Sequence, residues 1–262
     1  CWGVNDRGQI LPPLRGGSPI QVADSGNIRC AWNSSGARCT DSYSFGSMLV
    51  DVIAKMPSLE NVVTIALTPG YAKSACAITK SESGTALTCW GPQPSIVNAP
   101  PLLNPVSLSL ADETACAVLA DGTSHCWGKD LGIPWNLKPS GVVQAEAAND
   151  RVCMIDDFGF FCWGPKLLGT PLATPEAFKN SSDVLEFTLG RAHTCVRTST
   201  AVECWGDGKS TQLQVPPLND PVSVRAEGDL TCASDRDGVI CWGPEFRLPA
   251  PSRSRWDPHT PP

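Results

Sequence analysis

The segment Cys232-Ala-Ser-Asp-Arg-Asp-Gly-Val-Ile-Cys-Trp-Gly243 decides the fold of this 262-residue chain. If its two cysteines face each other, the residues between them pair two by two and leave Asp235 to Gly238 as the turn. Asp and Gly are typical of tight hairpin turns, because they tolerate positive φ or hydrogen-bond their own backbone. The segment therefore predicts a β-hairpin closed by its own disulfide, since opposed antiparallel residues lie within disulfide reach.

Versions of this hairpin recur along the whole chain. The motif cysteine occurs seven times, at Cys1, Cys39, Cys89, Cys126, Cys162, Cys204 and Cys241, with Thr40 and Asp41 replacing Trp and Gly in one copy. Six of the seven have a second cysteine upstream, which predicts the disulfides Cys30–Cys39, Cys76–Cys89, Cys116–Cys126, Cys153–Cys162, Cys195–Cys204 and Cys232–Cys241. On the chain-entropy model each ring of about ten residues stabilises the fold by ~2.7 kcal/mol.

Cys1 is the cysteine without a partner. Trp2 and Gly3 follow it as in the other copies, so we expect that its partner lay upstream and has been removed. The alternative is a processed N-terminus that is free, lipidated or bonded to another chain. The chain has no initiating Met and no signal-peptide pattern, so we expect a mature or excised piece.

The cysteine pattern indicates disulfides rather than metal. Structural zinc sites use short Cys-x2-Cys spacings or clustered histidines, and the sequence has neither. Thirteen cysteines in local, repeated pairs are typical of an oxidising compartment. We therefore expect an extracellular, cell-surface or periplasmic protein.

A second constant feature precedes each hairpin. Ser18, Asn104 and Asp220, each followed by Pro, stand twelve residues before the first cysteine of their repeats. Apolar residues then alternate with polar ones, which indicates a strand. Each repeat is thus predicted to hold an inner strand, the two hairpin strands, and a short outer strand near the prolines, because proline is confined to edge strands.

Four-stranded antiparallel units that repeat every 36 to 50 residues are typical of β-propeller blades. The sequence predicts an all-β fold, a single β-propeller over residues 1–262, with 244–262 as the last outer strand and a Pro-rich tail. Seven motif positions predict seven blades. Six blades with a leftover N-terminal strand pair are the alternative.

Two insertions are predicted to form short helical segments. Apolar residues from Met48 to Met56 recur at helical spacing before Pro57, which predicts a surface helix. Thr174 and Pro175 precede an acidic residue, a combination that starts helices, so one or two turns are expected there.

The repeats resemble a known family. The matching motifs are Gly190 with His193-Thr194-Cys195, Cys116-Ala117-Val118 with Asp121-Gly122, and Cys232-Ala233 with Asp237-Gly238. They are similar to repeats of the regulator of chromosome condensation family, and the cysteine-paired form resembles secreted bacterial repeat proteins and crinkly-type ectodomains of plant receptor kinases. The resemblance implies a propeller. It implies no single function, because family members exchange nucleotide, inhibit enzymes or recognise ligands on one scaffold.

No group of residues in the sequence has the composition of a catalytic, cofactor or metal site. The three histidines, His125, His193 and His259, lack a nucleophile with an orienting partner, so a structural role is expected for those beside motif cysteines. The acidic turn pairs lack the oxygen ligands of a calcium loop. With 20 basic and 26 acidic residues, the net charge of −6 disfavours nucleic acid or an anionic membrane as partner, and no uncharged apolar run could insert into a membrane.

The expected function is therefore non-catalytic recognition of a protein or glycan through loops on one propeller face. A structural subunit of a surface appendage or larger chain, and an inhibitor of a secreted enzyme, are the alternatives. The hairpin-turn face is acidic, whereas the opposite face is near neutral and holds a tryptophan outside the repeat motif. Because Trp and Arg dominate contact energies at interfaces, we expect the partner to bind that opposite face, around Trp135, Arg247, Lys129 and Lys209. Asn33 and Asn180 begin glycosylation sequons, which matter only in a eukaryotic source.

Overall fold

The computed structural model describes residues 21–25, 28–33, 35–41, 50–70, 73–130, 139–148, 150–165, 170, 172–207 and 211–243. The predictions for Cys1, Trp135, Lys209, Arg247 and the tail 244–262 fall outside these residues. The described residues form six three-stranded antiparallel sheets, in each of which the strands follow chain order. The chain divides into two compact units, Cys1–Asn149 and Asp150–Pro262.

The described residues of unit 1 form ten strands and two short helices. They are β1 (Gln21–Ser25), β2 (Ile28–Asn33), β3 (Gly36–Asp41), α1 (Val50–Ala54), β4 (Val62–Leu67), β5 (Ala75–Ser81), β6 (Gly84–Trp90), α2 (Pro94–Val97), β7 (Pro105–Leu110), β8 (Thr114–Leu119), β9 (Ser124–Gly128) and β10 (Gln144–Ala147). The helix expected between Met48 and Met56 is therefore present as α1, which lies inside the predicted range.

In the part of unit 2 that the structure describes, there are eight strands and two single turns of 3₁₀ helix. They are β11 (Val152–Asp156), β12 (Gly159–Trp163), the turn Glu176–Phe178, β13 (Glu186–Leu189), β14 (His193–Arg197), β15 (Val202–Gly206), the turn Thr211–Leu213, β16 (Ser223–Glu227), β17 (Leu230–Asp235) and β18 (Gly238–Trp242). The segment after Thr174 thus forms one 3₁₀ turn, and Pro175 precedes it without a side-chain cap.

The register of the hairpins is the predicted one. Cys232 pairs with Cys241, and Asp235 pairs with Gly238 across the turn. All six cysteine pairs named from the sequence are bonded, with Cα atoms 4.0 to 4.1 Å apart. Each disulfide joins the second and third strands of one sheet, so it holds the hairpin on which the sheet is built.

The prediction of four-stranded units is wrong for the described residues, where each sheet has three strands. After β6 the chain runs into the Pro-rich stretch 92–105, and Pro94 begins helix α2 instead of an outer strand. Proline has no N–H to give to a ladder, and its fixed φ suits the first turn of a helix. The blade count stays a prediction.

The tryptophan of the Cys-Trp-Gly motif anchors the connection that leads into its own sheet. In unit 1, the Trp90 indole N–H donates to Val52 O of α1 (2.8 Å), and that of Trp127 donates to Ile96 O of α2 (2.9 Å). In unit 2, the Trp242 indole donates to Gln212 O in a 3₁₀ turn (2.9 Å). In each of these three repeats the indole donor thus satisfies a carbonyl of a segment that forms no ladder.

The glycine of the motif is required by close backbone approach. Gly128 and Gly206 have φ of 99° and 139°, a region that L side chains rarely adopt. A Cβ at these positions would lie 2.1 Å from Glu113 O and 2.3 Å from Ala192 O. The repeated Cys-Trp-Gly therefore has three separate structural roles, which are the disulfide, the indole donor and the close approach.

Candidate interaction surface

In unit 1 the hairpin turns and the starts of the inner strands lie at the same end. The backbone N–H of Lys80 donates to Asn61 O (3.0 Å), and that of Ala120 donates to Asn104 O (2.9 Å). Asn61 and Asn104 have φ of 50° and 51°, a left-handed conformation that Asn tolerates better than most residues. We call this end of each unit the turn end.

Unit 2 has the same arrangement. Arg236 N donates to Asn219 O (3.0 Å), and Val222 N donates to Ser234 O (2.8 Å). Asp220 adopts φ of 50°, like the two asparagines of unit 1. Asn104 and Asp220, which stand twelve residues before the first cysteine, therefore have a structural role. A residue that tolerates positive φ turns the chain into the inner strand.

Aliphatic side chains are exposed at the turn end. Val106 and Val143 in unit 1 are 46% and 71% exposed, and Leu185 and Val222 in unit 2 are 51% and 63% exposed. All four occupy the same place in their repeats, ten residues before the first cysteine. Single exposed aliphatic residues are ordinary on protein surfaces, but four at one repeat position form a pattern. We call them the turn-end aliphatic residues.

The turn-end aliphatic residues stand at the starts of neighbouring inner strands. In unit 1, Ser109 Oγ accepts from Ala147 N (3.0 Å), which places β7 beside β10. In unit 2, Thr188 Oγ1 accepts from Ala226 N (2.9 Å) and Glu186 Oε2 accepts from Val224 N (3.1 Å), which places β13 beside β16. Each unit therefore has two of these aliphatic residues, one at the start of each of two neighbouring inner strands.

A strand places successive side chains on opposite faces, and this accounts for the exposure. The residue just before each turn-end aliphatic residue is buried, as Pro105, Val142, Val184 and Pro221 show. Two consecutive apolar residues at a strand start therefore cannot both face the core. Two consecutive apolar residues, eleven and ten positions before the first cysteine, are the sequence signal for this surface. The prediction from tryptophan and arginine did not include them.

Acidic side chains stand in the hairpin turns at the turn end. Burial raises the pKa of the Asp156 carboxyl and the neighbouring Asp157 acts in the same direction, while the N–H of Phe158 (2.8 Å) opposes the change. At the turn after β8, the Thr123 hydroxyl and N–H hold the pKa of Asp121 below its usual value. The turn end therefore combines apolar groups with negative charge.

Of the four residues predicted to bind a partner at the opposite end, Lys129 lies among the described residues. Lys129 is exposed and lies 3.6 Å from the Glu113 carboxylate, and its N–H donates to Glu113 O (2.7 Å). Trp135, Arg247 and Lys209 lie outside the described residues. Binding around Trp135 and Arg247 stays a prediction.

The most strongly perturbed titratable group lies inside unit 2. His193 is fully buried, and its Nε2 lies 2.7 Å from Thr231 Oγ1 on the neighbouring sheet. The fully buried Arg151 donates to Gly190 O (3.0 Å) and to His193 O (2.7 Å). Burial lowers the pKa of His193 to about 4, and the Arg151 charge acts in the same direction, while Asp229 opposes them. A buried imidazole that links two sheets has a structural role.

The two sequons occupy different environments. Asn33 is 4% exposed at the end of β2, and its Oδ1 accepts from Ser35 N (2.9 Å). Asn180 is exposed, with φ of 53°, and its N–H donates to Phe160 O (2.9 Å). Use of either sequon stays a prediction, and Asn180 is the more accessible of the two.

Comparison with solved structures shows a β-propeller fold. The CRINKLY WD40 ectodomain of the Arabidopsis thaliana receptor kinase ACR4 aligns at TM-score 0.61 and 19% identity, over 88% of this chain and 83% of that one. The ectodomain of the Physcomitrella patens receptor kinase CR4 aligns at 0.62 and 20%, over 88% of this chain and 65% of that one. Prp20p from Saccharomyces cerevisiae aligns at 0.56 and 16%, over 88% and 71%. At these identities the likeness shows the fold alone.

Comparison of the amino-acid sequence with known proteins gives less extensive matches than comparison of the structure. No protein-family model matches the chain. The protein pim1 of Schizosaccharomyces pombe is 26% identical over 148 residues, which are 55% of this chain and 23% of pim1. The chain therefore matches less than a quarter of the length of this curated relative. Within the described ranges, no helix has the length and apolar character needed to cross a membrane.

Proposed function

We propose that the chain is a non-catalytic, extracellular recognition module that binds a protein partner at its turn end. The observation that carries the proposal is the set of four exposed aliphatic side chains at one repeat position, Val106, Val143, Leu185 and Val222. Each sits beside a hydrogen-bonded turn that holds the strand start in place. Buried aliphatic surface is a main source of affinity between proteins.

The similar structures support this class of function. Two of them are ectodomains of receptor kinases, and the Prp20p structure is described with its binding to Gsp1p and histones. The six disulfides support an extracellular site of action, since such bonds persist in oxidising compartments.

The chemistry of the turn end favours a protein partner over a glycan. Aliphatic side chains offer no hydrogen bonds to sugar hydroxyls, whereas they pack well against the apolar residues of another protein. The acidic residues in the hairpin turns at this end attract basic side chains and would slow the approach of an acidic surface. The partner is therefore a protein with an apolar contact patch that basic residues surround.

The test compares two double variants with a matched control. We expect V106S/V143S and L185S/V222S each to weaken binding of the partner by about tenfold, because each variant removes two aliphatic groups that the partner would bury. The control is Val22→Ser, since Val22 is 53% exposed in β1 but lies eight residues, not ten, before the first cysteine of its repeat. The partner is first captured on the wild-type protein from the native extracellular fraction, identified by mass spectrometry, and titrated as a purified protein.

One further variant decides between the two ends of the units. Trp135→Ala tests the contact face predicted from the sequence. If it abolishes binding while both double variants bind like wild type, the turn end is the wrong surface. Light scattering separates recognition from a structural role, since a recognition module is expected as a monomer and an appendage subunit as a defined polymer.

A further inference from the structure

Unit 1 contains a cavity of about 690 Å³ between β3 and the segment that follows α1. Small-molecule sites in proteins usually measure about 300–1,000 Å³. The lining includes exposed residues, Arg38 and Glu60 among them, so the cavity opens to solvent. Its apolar lining includes Ala37, Ile53, Met56 and Leu59.

A small residue in β3 accounts for part of this space. Ala37 lies two residues before the second cysteine of its hairpin, a position that Leu87 holds in β6 and Phe160 holds in β12. Leu87 packs against the cluster of Ile96, and Phe160 is fully buried. A methyl group at the same position leaves the adjoining space unfilled.

The large residue opposite Ala37 does not fill the cavity. Trp32 pairs with Ala37 across the hairpin. Its indole N–H donates to Val63 O at the start of β4 (3.3 Å), and Trp32 is absent from the cavity lining. The hydrogen bond therefore holds the indole toward the inner strand and away from the opening.

The equivalent place in unit 2 is occupied by aromatic rings. Phe160 packs edge-on against Trp205, with ring centroids 6.0 Å apart. Phe178 stacks on the same indole at 5.6 Å. Met56 corresponds to Phe178 in sequence position, since Met56 lies six residues before the buried Val62 and Phe178 lies six residues before the buried Val184. Unit 1 thus has the methyl group of Ala37 and the thioether chain of Met56 where unit 2 has two phenyl rings.

We propose that the Ala37 cavity is a binding site for a small aromatic molecule, a planar ring that carries one polar substituent. The missing volume is that of rings, and a methionine thioether makes favourable contacts with an aromatic ring. Ser58, Glu60 and Arg38 in the lining provide hydrogen-bonding partners for the substituent. This site goes beyond the proposed function, because it requires no partner at the turn end.

The test uses methionine methyl groups as reporters. The chain has three methionines, Met48, Met56 and Met154. Met154 is buried in unit 2 and serves as the internal control, while Met48 lies outside the described residues. In protein labelled with ¹³C at the methionine methyls, titration with indole and with 4-methylphenol is expected to shift the Met56 signal and leave Met154 unchanged. Conservative Met→Leu variants assign the three signals.

A variant that fills the cavity with a side chain tests whether indole binds there. Ala37→Phe places in β3 the ring that β12 has at Phe160, so it is expected to weaken indole binding by about tenfold or more, because the ring occupies the site. Ala86→Phe is the control, since Ala86 is exposed in β6 and lines no part of the cavity. Thermal unfolding shows whether unit 1 of the variant is folded, because Met154 reports only on unit 2, and Ala37→Leu replaces the variant if it is not.

Four results would overturn the proposal. The first is no shift of Met56 at saturating indole or 4-methylphenol, and the second is an equal shift in Ala37→Phe. The third is an equal response to cyclohexanol, which would show that an aromatic ring is not required. A response to N-acetylphenylalaninamide alone would also overturn it, in favour of a side chain of a polypeptide ligand.

Discussion

Ala37 in unit 1 and Phe160 in unit 2 hold the same repeat position but have opposite surroundings. Phe160 is fully buried against Phe187, with ring centroids 5.1 Å apart, and against Trp205. Ala37 borders an open cavity of about 690 Å³. The hairpins that carry them have the same register and the same disulfide.

The difference shows how the repeat divides its tasks. The disulfide and the paired backbone hold each hairpin whatever stands two residues before its second cysteine. That position is therefore open to change, and it decides whether the space beside the hairpin is filled from within. In unit 2 the rings are part of the core, while in unit 1 the space remains available for a ligand.

The largest expected effect is at Phe160. Phe160→Ala removes a buried ring with two aromatic neighbours, so it is expected to lower the free energy of unfolding by about 3–5 kcal/mol. Phe161→Ala is the control, because Phe161 points to the other face and is only partly buried. Urea unfolding of both variants measures the difference. Equal losses would mean that the aromatic cluster is no more important than the opposite face.

The second effect is acid lability in unit 2. The pKa of His193 is lowered to about 4 from 6.5 in the unfolded chain, so the unfolded state binds the proton first as pH falls. The free energy of unfolding is therefore expected to fall between pH 6.5 and pH 4, by roughly 3 kcal/mol in total, and not above that window. The equivalent residue in unit 1, Ser74, does not titrate.

His193→Gln isolates this contribution. Glutamine can bond Thr231 but cannot take the proton, so the variant is expected to lose the part of the pH dependence that belongs to the imidazole. Urea unfolding at several pH values between 4 and 7.5 measures the slope for both proteins. An unchanged slope in His193→Gln would assign the acid lability to other groups.

The third effect concerns two indole hydrogen bonds, one in each unit. In unit 1 the bond from Trp90 to Val52 O is 2.8 Å and buried, while in unit 2 the bond from Trp205 to Leu172 O is 3.4 Å. Trp90→Phe leaves a buried carbonyl without its donor and is expected to cost about 1–2 kcal/mol. Trp205→Phe keeps a ring for stacking and is expected to cost less. The reverse order in thermal unfolding would contradict the division into a donor anchor and a stacking anchor.

The smallest effect has the opposite sign. Ala37→Leu places in β3 the residue that β6 has at Leu87, so it is expected to raise the free energy of unfolding by about 1 kcal/mol as the cavity is partly filled. Ala86→Leu, at an exposed position, is expected to change it by less than the error of the measurement. Destabilisation by Ala37→Leu would mean that the cavity walls cannot accept added volume.

The sequence by itself determined the hairpins. Cysteine spacing, Asp-Gly turns and period-2 alternation are local, because the residues that pair are about ten positions apart. The register, the six disulfides and the helix before Pro57 could therefore be named without coordinates. The repeat period predicted the propeller, the family resemblance implied the same fold, and the similar structures support it.

Only the tertiary structure decided what the connections do and which surfaces are exposed. The helix in the Pro-rich stretch after β6 is held by the Trp127 indole, which comes 31 residues after its acceptor Ile96. Which of two consecutive apolar residues faces solvent at Val142 and Val143 depends on the neighbouring inner strand. The cavity beside Ala37 likewise depends on Met56 and Leu59, which belong to another segment. Contacts between elements far apart in the chain have no fixed spacing, so the sequence carries no periodic signal for them.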